Sequence, residues 1–179
     1  MYFYSAAGTE RQQSASSNGY YETVAGGTGA GKGFDGASGV HQHMTNTRIT
    51  DPEIMEHRYP LRLWRFVIRK DSGGWGAFKG GDGLIREYEF LEDMELSILS
   101  QHRKIAPYGM KGGEAGSKGE QWLITAKGEK QQLEGISNLK IHKNDIFLLK
   151  TPGGGGFGLP EENNIPLTIE RKPGNNSTK

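Results

Sequence analysis

The sequence predicts an α+β protein, predominantly β, with meandering and mostly antiparallel strands joined by glycine-rich loops and one short helix near residues 51–58. Three observations carry this. Apolar and polar residues alternate in several short runs, the period of a half-buried strand. Glycine accounts for 28 of 179 residues, about twice the ordinary ~7%, and gathers in five stations at 25–33, 72–76, 79–83, 109–119 and 151–158. Only one helix start is well marked. Glycine pairs at fixed places mean either a backbone turning with positive φ or a neighbour closer than a Cβ permits.

In chain order, residues 1–18 are rich in Ser, Gln and Ala without apolar periodicity, and read as a flexible leader. The domain follows over 19–159. Thr50-Asp51-Pro52-Glu53 predicts a helix start, with Thr50 as N-cap, Glu53 reaching back and Pro52 where a missing N–H costs nothing. Tyr59-Pro60 ends that helix, because a residue before proline avoids the α region. Leu61–Arg69 is rich in aromatic and β-branched residues and predicts a long strand. Residues 84–91 alternate, with Leu84, Tyr88 and Phe90 on one face and Glu87 and Glu89 on the other. Arg86 alternates with the apolar set and is expected to be a buried ion-pair partner. Met94, Leu96 and Ile98 alternate again, and residues 121–126 and 145–150 are further short strands. Residues 160–179 read as a loose tail.

Composition excludes several function classes. The formal charge is +1, from 22 basic and 21 acidic residues that are well mixed. That balance gives no basic stripe for nucleic acid or an anionic membrane. Cysteine is absent, which removes disulfides, thiolate catalysis and Cys-ligated metals. No apolar run approaches the ~20 residues of a membrane span. A cytoplasmic protein without nucleic acid or membrane partners is the expectation.

Two constellations carry possible chemistry. Gly26 to Lys32 fits most of a phosphate loop, but Gly33 stands where a magnesium-holding Ser or Thr is needed and a breaker-rich stretch follows. A glycine-rich surface turn is the favoured reading. Residues 40–48 are denser in functional side chains. As a strand they put His41, His43, Thr45 and Thr47 on one face and Gln42, Met44, Asn46 and Arg48 on the other. His41 and His43 are the candidate catalytic pair, with Gly26, Gly27, Asp35, Asn46, Thr47 and Arg48 as candidates facing substrate. Two histidines without a third ligand do not complete a metal site, and none is expected in this chain. Ser72 lacks a nucleophile elbow, and Asp82 in Lys79-Gly80-Gly81-Asp82-Gly83 is a turn former.

In order along the chain stand Gly19 to Gly27, Gly39 to Glu53, Asp71-Ser72-Gly73-Gly74-Trp75-Gly76, Gly80-Gly81-Asp82-Gly83, Pro107-Tyr108-Gly109 with Gly112-Gly113, and Thr151 to Gly158. This ordered set resembles the C-terminal part of the hydantoinase B/5-oxoprolinase family. Lys79, where the family has arginine, is a mild departure, and residues 1–18 match nothing in it. The resemblance implies a fragment of an ATP-dependent cyclic-amide hydrolase that opens 5-oxo-L-proline to L-glutamate in glutathione metabolism. It also implies that the fragment, or truncated gene product, supplies one active-site wall and is inactive alone. No cofactor is then bound by the fragment itself. ATP with magnesium and a divalent metal belong to the complete enzyme, an oligomer. Its ATP-binding hydantoinase A-like half and the N-terminal hydantoinase B part are the implied partners, in the same chain or a separate subunit. The alternatives are a fragment of an acetone-carboxylase-like ATP-dependent carboxylase and a non-catalytic assembly module.

Overall fold

A computed structural model describes residues 2–4, 19–42 and 48–160. Its strands are β1 (Tyr2–Tyr4), β2 (Gly19–Tyr21), β3 (Leu61–Arg69), β4 (Gly83–Phe90), β5 (Met94–Leu99), β6 (Glu120–Ile124), β7 (Lys130–Gln132), β8 (Ile136–Ile141) and β9 (Ile146–Lys150), with one helix, α1 (Pro52–Arg58). They form two sheets, ordered β2-β1-β5-β8 and β3-β4-β9-β6-β7. The described strand pairs are antiparallel, as expected from the alternating pattern.

Alternation decides which faces meet. Leu84, Arg86, Tyr88 and Phe90 of β4 are buried, as are Met94, Leu96 and Ile98 of β5. With Leu123, Ile141, Phe147 and Leu149 from β6, β8 and β9, Tyr88, Phe90 and the three β5 residues form one core shared by both sheets. Burying such side chains stabilises by roughly 1.5–3 kcal/mol each. Short turns after Phe90 and Ile141 carry the chain from one sheet to the other.

Several expectations change in detail. The helix is capped by Asp51, whose carboxylate accepts the Glu53 and Ile54 N–H groups, and Thr50 is not the cap. Both residue types cap well, so composition alone could not choose. Tyr2–Tyr4, read as leader, pairs between β2 and β5. Val40, His41 and Gln42 are irregular and not a strand. β7 and β8 were not foreseen; Leu139 and Ile141 are the only apolar residues on the inward face of β8, too few to register as a pattern.

The buried-charge expectation for Arg86 holds. Arg86 is fully buried, its Nη1 donates to Glu22 Oε1 at 2.5 Å, and its guanidinium lies over the Phe66 and Tyr88 rings at 4.7 and 4.9 Å. Glu22 also accepts the hydroxyls of Tyr20 at 2.8 Å and Tyr88 at 2.6 Å. Burial first, and the Glu22 charge with it, push both phenols above their ordinary range, with Arg86 working against the shift. A raised folded-state pKa means that the unfolded chain loses these protons first, from about pH 10 upward. Stability is therefore whole below that pH and falls above it, by about 1.4 kcal/mol per pH unit for each tyrosine. Thermal melts of the wild type and Tyr88→Phe between about pH 8 and 11 should show the steeper alkaline loss in the wild type; matching curves would remove the assignment.

The glycine stations form the second half of the molecule. Apart from Gly83, which opens β4, they are neither helix nor strand, yet they bond to one another through the main chain. Residues 152–157 run through the middle. Pro152 O accepts Gly27 N, Gly154 O accepts Gly74 N, Gly155 O accepts Ala30 N and Gly156 O accepts Met110 N, all at 2.8–2.9 Å. Cβ atoms placed on Gly26 and Gly29 would face Pro152 and Gly155, those on Gly113 and Gly116 would face Gly156 and Gly153, and those on Gly80 and Gly83 would face Gly154 and Thr151. Each set repeats every three residues, the period of a polyproline II helix. The stations thus pack side by side in a bundle with the three-residue period of extended polyproline II-type segments, so closely that at most of these positions a Cβ would strike a neighbouring main chain.

Candidate functional site

Where the bundle meets the sheets it leaves a cleft of about 450 Å³. Its floor is main chain, from Gly26, Gly27, Gly29, Gly154 and Gly155, and its rim carries His41, Gln42, Gln101, His102 and Tyr108. No aspartate or glutamate is among its lining residues. A second hollow of about 550 Å³ shares Thr23, Val24, Gly26, Gln101 and Pro152 with it and adds Arg103. Burial beside Arg69 lowers the Arg103 pKa to about 10, with desolvation the larger cause. Arg103 Nε donates to Gln121 and its Nη1 to the Gln101 carbonyl, which fixes one wall.

Of the residues singled out from the sequence, Gly26, Gly27 and His41 meet at this cleft. His41 is half-buried and also lines an apolar hollow beside Phe66 and Leu84. Asp35 lies elsewhere; its carboxylate accepts the Lys79 N–H at 2.7 Å and holds two bundle segments together. Arg48 is exposed and does not line the cleft. His43, Asn46 and Thr47 fall outside the described residues.

The sequence reading missed His102 and Gly155 as cleft residues. His102 follows β5 in a polar run, adopts φ 57° and places Nδ1 3.2 Å from the Ile105 carbonyl. Its left-handed backbone, rare for a residue other than glycine, turns the chain toward the cleft and leaves no mark in a sequence pattern.

The Gly26–Lys32 loop does not form a phosphate seat, and no metal cluster stands among the described residues. Lys32 and Gly33 form the exposed tip of a tight turn closed by reciprocal Gly31–Phe34 main-chain bonds, and no helix follows to face a phosphate. No group of three His, Asp or Glu stands close enough to hold a metal ion among the described residues. Asp82 is engaged by the Gly73 N–H at 2.8 Å. Ser72 Oγ donates to the Arg69 carbonyl and accepts the Gly83 N–H, a structural role rather than a nucleophile's.

Residues 1–160 match the hydantoinase B/oxoprolinase family, so the match takes in the leader as well as the stations. 5-Oxoprolinase 1 of Arabidopsis thaliana is 51% identical over 140 residues, covering 78% of this chain and 11% of that protein. The 5-oxoprolinase of Dictyostelium discoideum is 49% identical over 140 residues, with the same coverage of 78% and 11%. The chain therefore spans only about 11% of the length of these curated relatives. Among solved structures, an ATP-dependent caprolactamase from Pseudomonas jessenii aligns with a TM-score of 0.63 at 23% identity, covering 75% of this chain and 24% of that one. At that identity the likeness is one of fold.

Proposed function

The chain belongs to the hydantoinase B/oxoprolinase family, and from that premise we propose that it is the C-terminal portion of an ATP-dependent 5-oxoprolinase and forms one wall of its lactam-hydrolysing cleft. The observation that carries this reading is the 51% identity to a 5-oxoprolinase over 140 residues, 78% of this chain. Hydrolysis of 5-oxo-L-proline breaks the ring C–N bond, adds hydroxyl to the carbonyl carbon and leaves the proton on nitrogen. Of the two imidazoles at the cleft, His41 and His102, His41 is assigned here to carry a proton between water and the departing nitrogen. Activation by ATP, with magnesium and any divalent metal, is assigned in this reading to other parts of the complete enzyme.

The exposed outer strand supports an incomplete body. Phe66, Val67 and Ile68 of β3 are 39, 46 and 50% accessible in a contiguous run. An apolar strand of this kind is a surface for further protein, here the remainder of the enzyme, in the same chain or a separate subunit. No described helix is long and apolar enough to cross a membrane, and the cytoplasm is the proposed location.

The test is a graft. Residues 19–158 replace the matching segment of the Arabidopsis thaliana 5-oxoprolinase, and ATP-dependent release of glutamate is measured. Activity is expected in the graft and none in the isolated chain. Within the graft, His41→Ala should lower turnover about a hundredfold with the melting temperature unchanged. A folded graft that releases no glutamate would overturn the reading, and so would release by the isolated chain.

A further inference from the structure

We propose that the floor of the cleft is a seat for a carboxylate, formed by the main-chain N–H groups of Gly29 and Gly155. The bundle's own bonding isolates these two donors. Along residues 26–31 the N–H groups of Gly27 and Ala30 go to Pro152 and Gly155, and those of Thr28 and Gly31 go to Ala37 and Phe34. The remaining third of the three-residue period is Gly26 and Gly29, which share a face, line the cleft and have no acceptor among the described residues. On the central segment, Gly153, Gly154 and Gly156 donate to Ser117, Gly81 and Glu114, and Pro152 has no N–H. Gly155 is the gap: its residue is buried, it lines the cleft, and its N–H likewise meets no acceptor among the described residues.

Gly29 and Gly155 are neighbours. The adjoining Ala30 N–H bonds the Gly155 carbonyl at 2.9 Å, and a Cβ on Gly29 would stand 3.8 Å from that same oxygen. Gly26, three residues away, is about 9 Å distant at ~3.1 Å per residue, too far to share one carboxylate. Gly155 is buried, and a buried N–H without an acceptor is costly, a cost that an anion at the cleft relieves; Gly29 is exposed, which leaves its N–H open to the same ligand. The rest of the cleft does not oppose an anion, since no carboxylate is among its lining residues. A glycine floor lets the ligand's oxygens approach the amides directly. The choice of carboxylate over other oxyanions rests on the proposed function, in which 5-oxo-L-proline and L-glutamate both carry one.

The experiment follows glycine amides by ¹H–¹⁵N NMR in the 179-residue chain as 5-oxo-L-proline is added. Parallel titrations use 2-pyrrolidinone, the same lactam without the carboxylate, and inorganic phosphate. The Gly29 and Gly155 amides should move with 5-oxo-L-proline and stay with 2-pyrrolidinone. Gly29→Pro exchanges the donor for a methylene in a backbone whose φ is not positive, and proline suits an extended left-handed helix. It should weaken 5-oxo-L-proline binding tenfold or more, as expected for a lost bond to a charged group. Gly29→Ala, which keeps the N–H, should bind within about twofold of wild type. Equal shifts with 2-pyrrolidinone, shifts with phosphate alone, silent amides, or unchanged affinity in a folded Gly29→Pro would each overturn the seat. Silent amides beside an active graft reject the seat and leave the function standing. Responsive amides beside an inactive graft do the reverse.

Discussion

Gly154→Ala is expected to abolish folding of this module. An added Cβ would stand 1.8 Å from the Thr28 carbonyl oxygen and 2.2 Å from its carbon, both main-chain atoms that no rotamer change can move. Retreat is blocked as well. Gly154 donates to Gly81 and accepts from Gly74, both at 2.8 Å, so the central segment is held from other sides too. The loss should exceed the ~4–5 kcal/mol that marks exceptional substitutions, against a total stability of about 5–15 kcal/mol. Gly128→Ala is the control: it has positive φ, 86°, but nothing within 4 Å of the added carbon. It should cost only the ~1–2 kcal/mol of a left-handed side chain and still fold. Urea and thermal melts separate the two, and a Gly154→Ala protein melting within a few degrees of wild type would contradict the close packing of the bundle.

Glu22→Ala is the second large effect. It removes the acceptor shared by Arg86, Tyr20 and Tyr88 from the interior. Arg86 would keep its charge while fully buried, and its Nε and Nη2 already have no hydrogen-bond partner among the described residues. Breaking such a pair from one side costs about 3–5 kcal/mol, because the remaining charge is left uncompensated. Removing both charges in Glu22→Leu/Arg86→Met should recover much of that loss, since a buried pair gains little over apolar residues of similar volume. The measurement is a double-mutant cycle by urea unfolding. If Glu22→Ala alone costs under about 1 kcal/mol, water reaches the pair and the buried-charge account fails.

The sheets were legible because side chains report their face. Leu84, Arg86, Tyr88 and Phe90 alternate with Glu87 and Glu89, and burial follows that alternation residue by residue. The partner of Arg86 was not legible, because Glu22 lies 64 residues away in a glycine-bordered stretch. The bundle was announced by its glycines but not shaped by them, since a residue without a side chain carries no hydropathy pattern. Its signal was spacing: Gly26 and Gly29, Gly73 and Gly76, Gly80 and Gly83, Gly113 and Gly116, and Gly153 and Gly156 all stand three apart. Of the candidate site, Gly26, Gly27 and His41 were found from residue type and the first station. His102 and Gly155 come to the same cleft only through tertiary folding.

A bundle fastened by peptide groups responds to temperature differently from an apolar core. Exposing apolar surface on unfolding raises the heat capacity by about 0.45 cal/mol/K per Å², whereas exposing polar surface lowers it by about 0.26. The sheets contribute the first term; residues such as Gly74, Gly81, Gly154 and Gly156, buried against one another's main chain, contribute mostly the second. The two partly cancel, so the stability curve of this module is flatter than that of a sheet domain of equal length. The cleft floor therefore keeps its shape in the cold, where hydrophobic cohesion weakens.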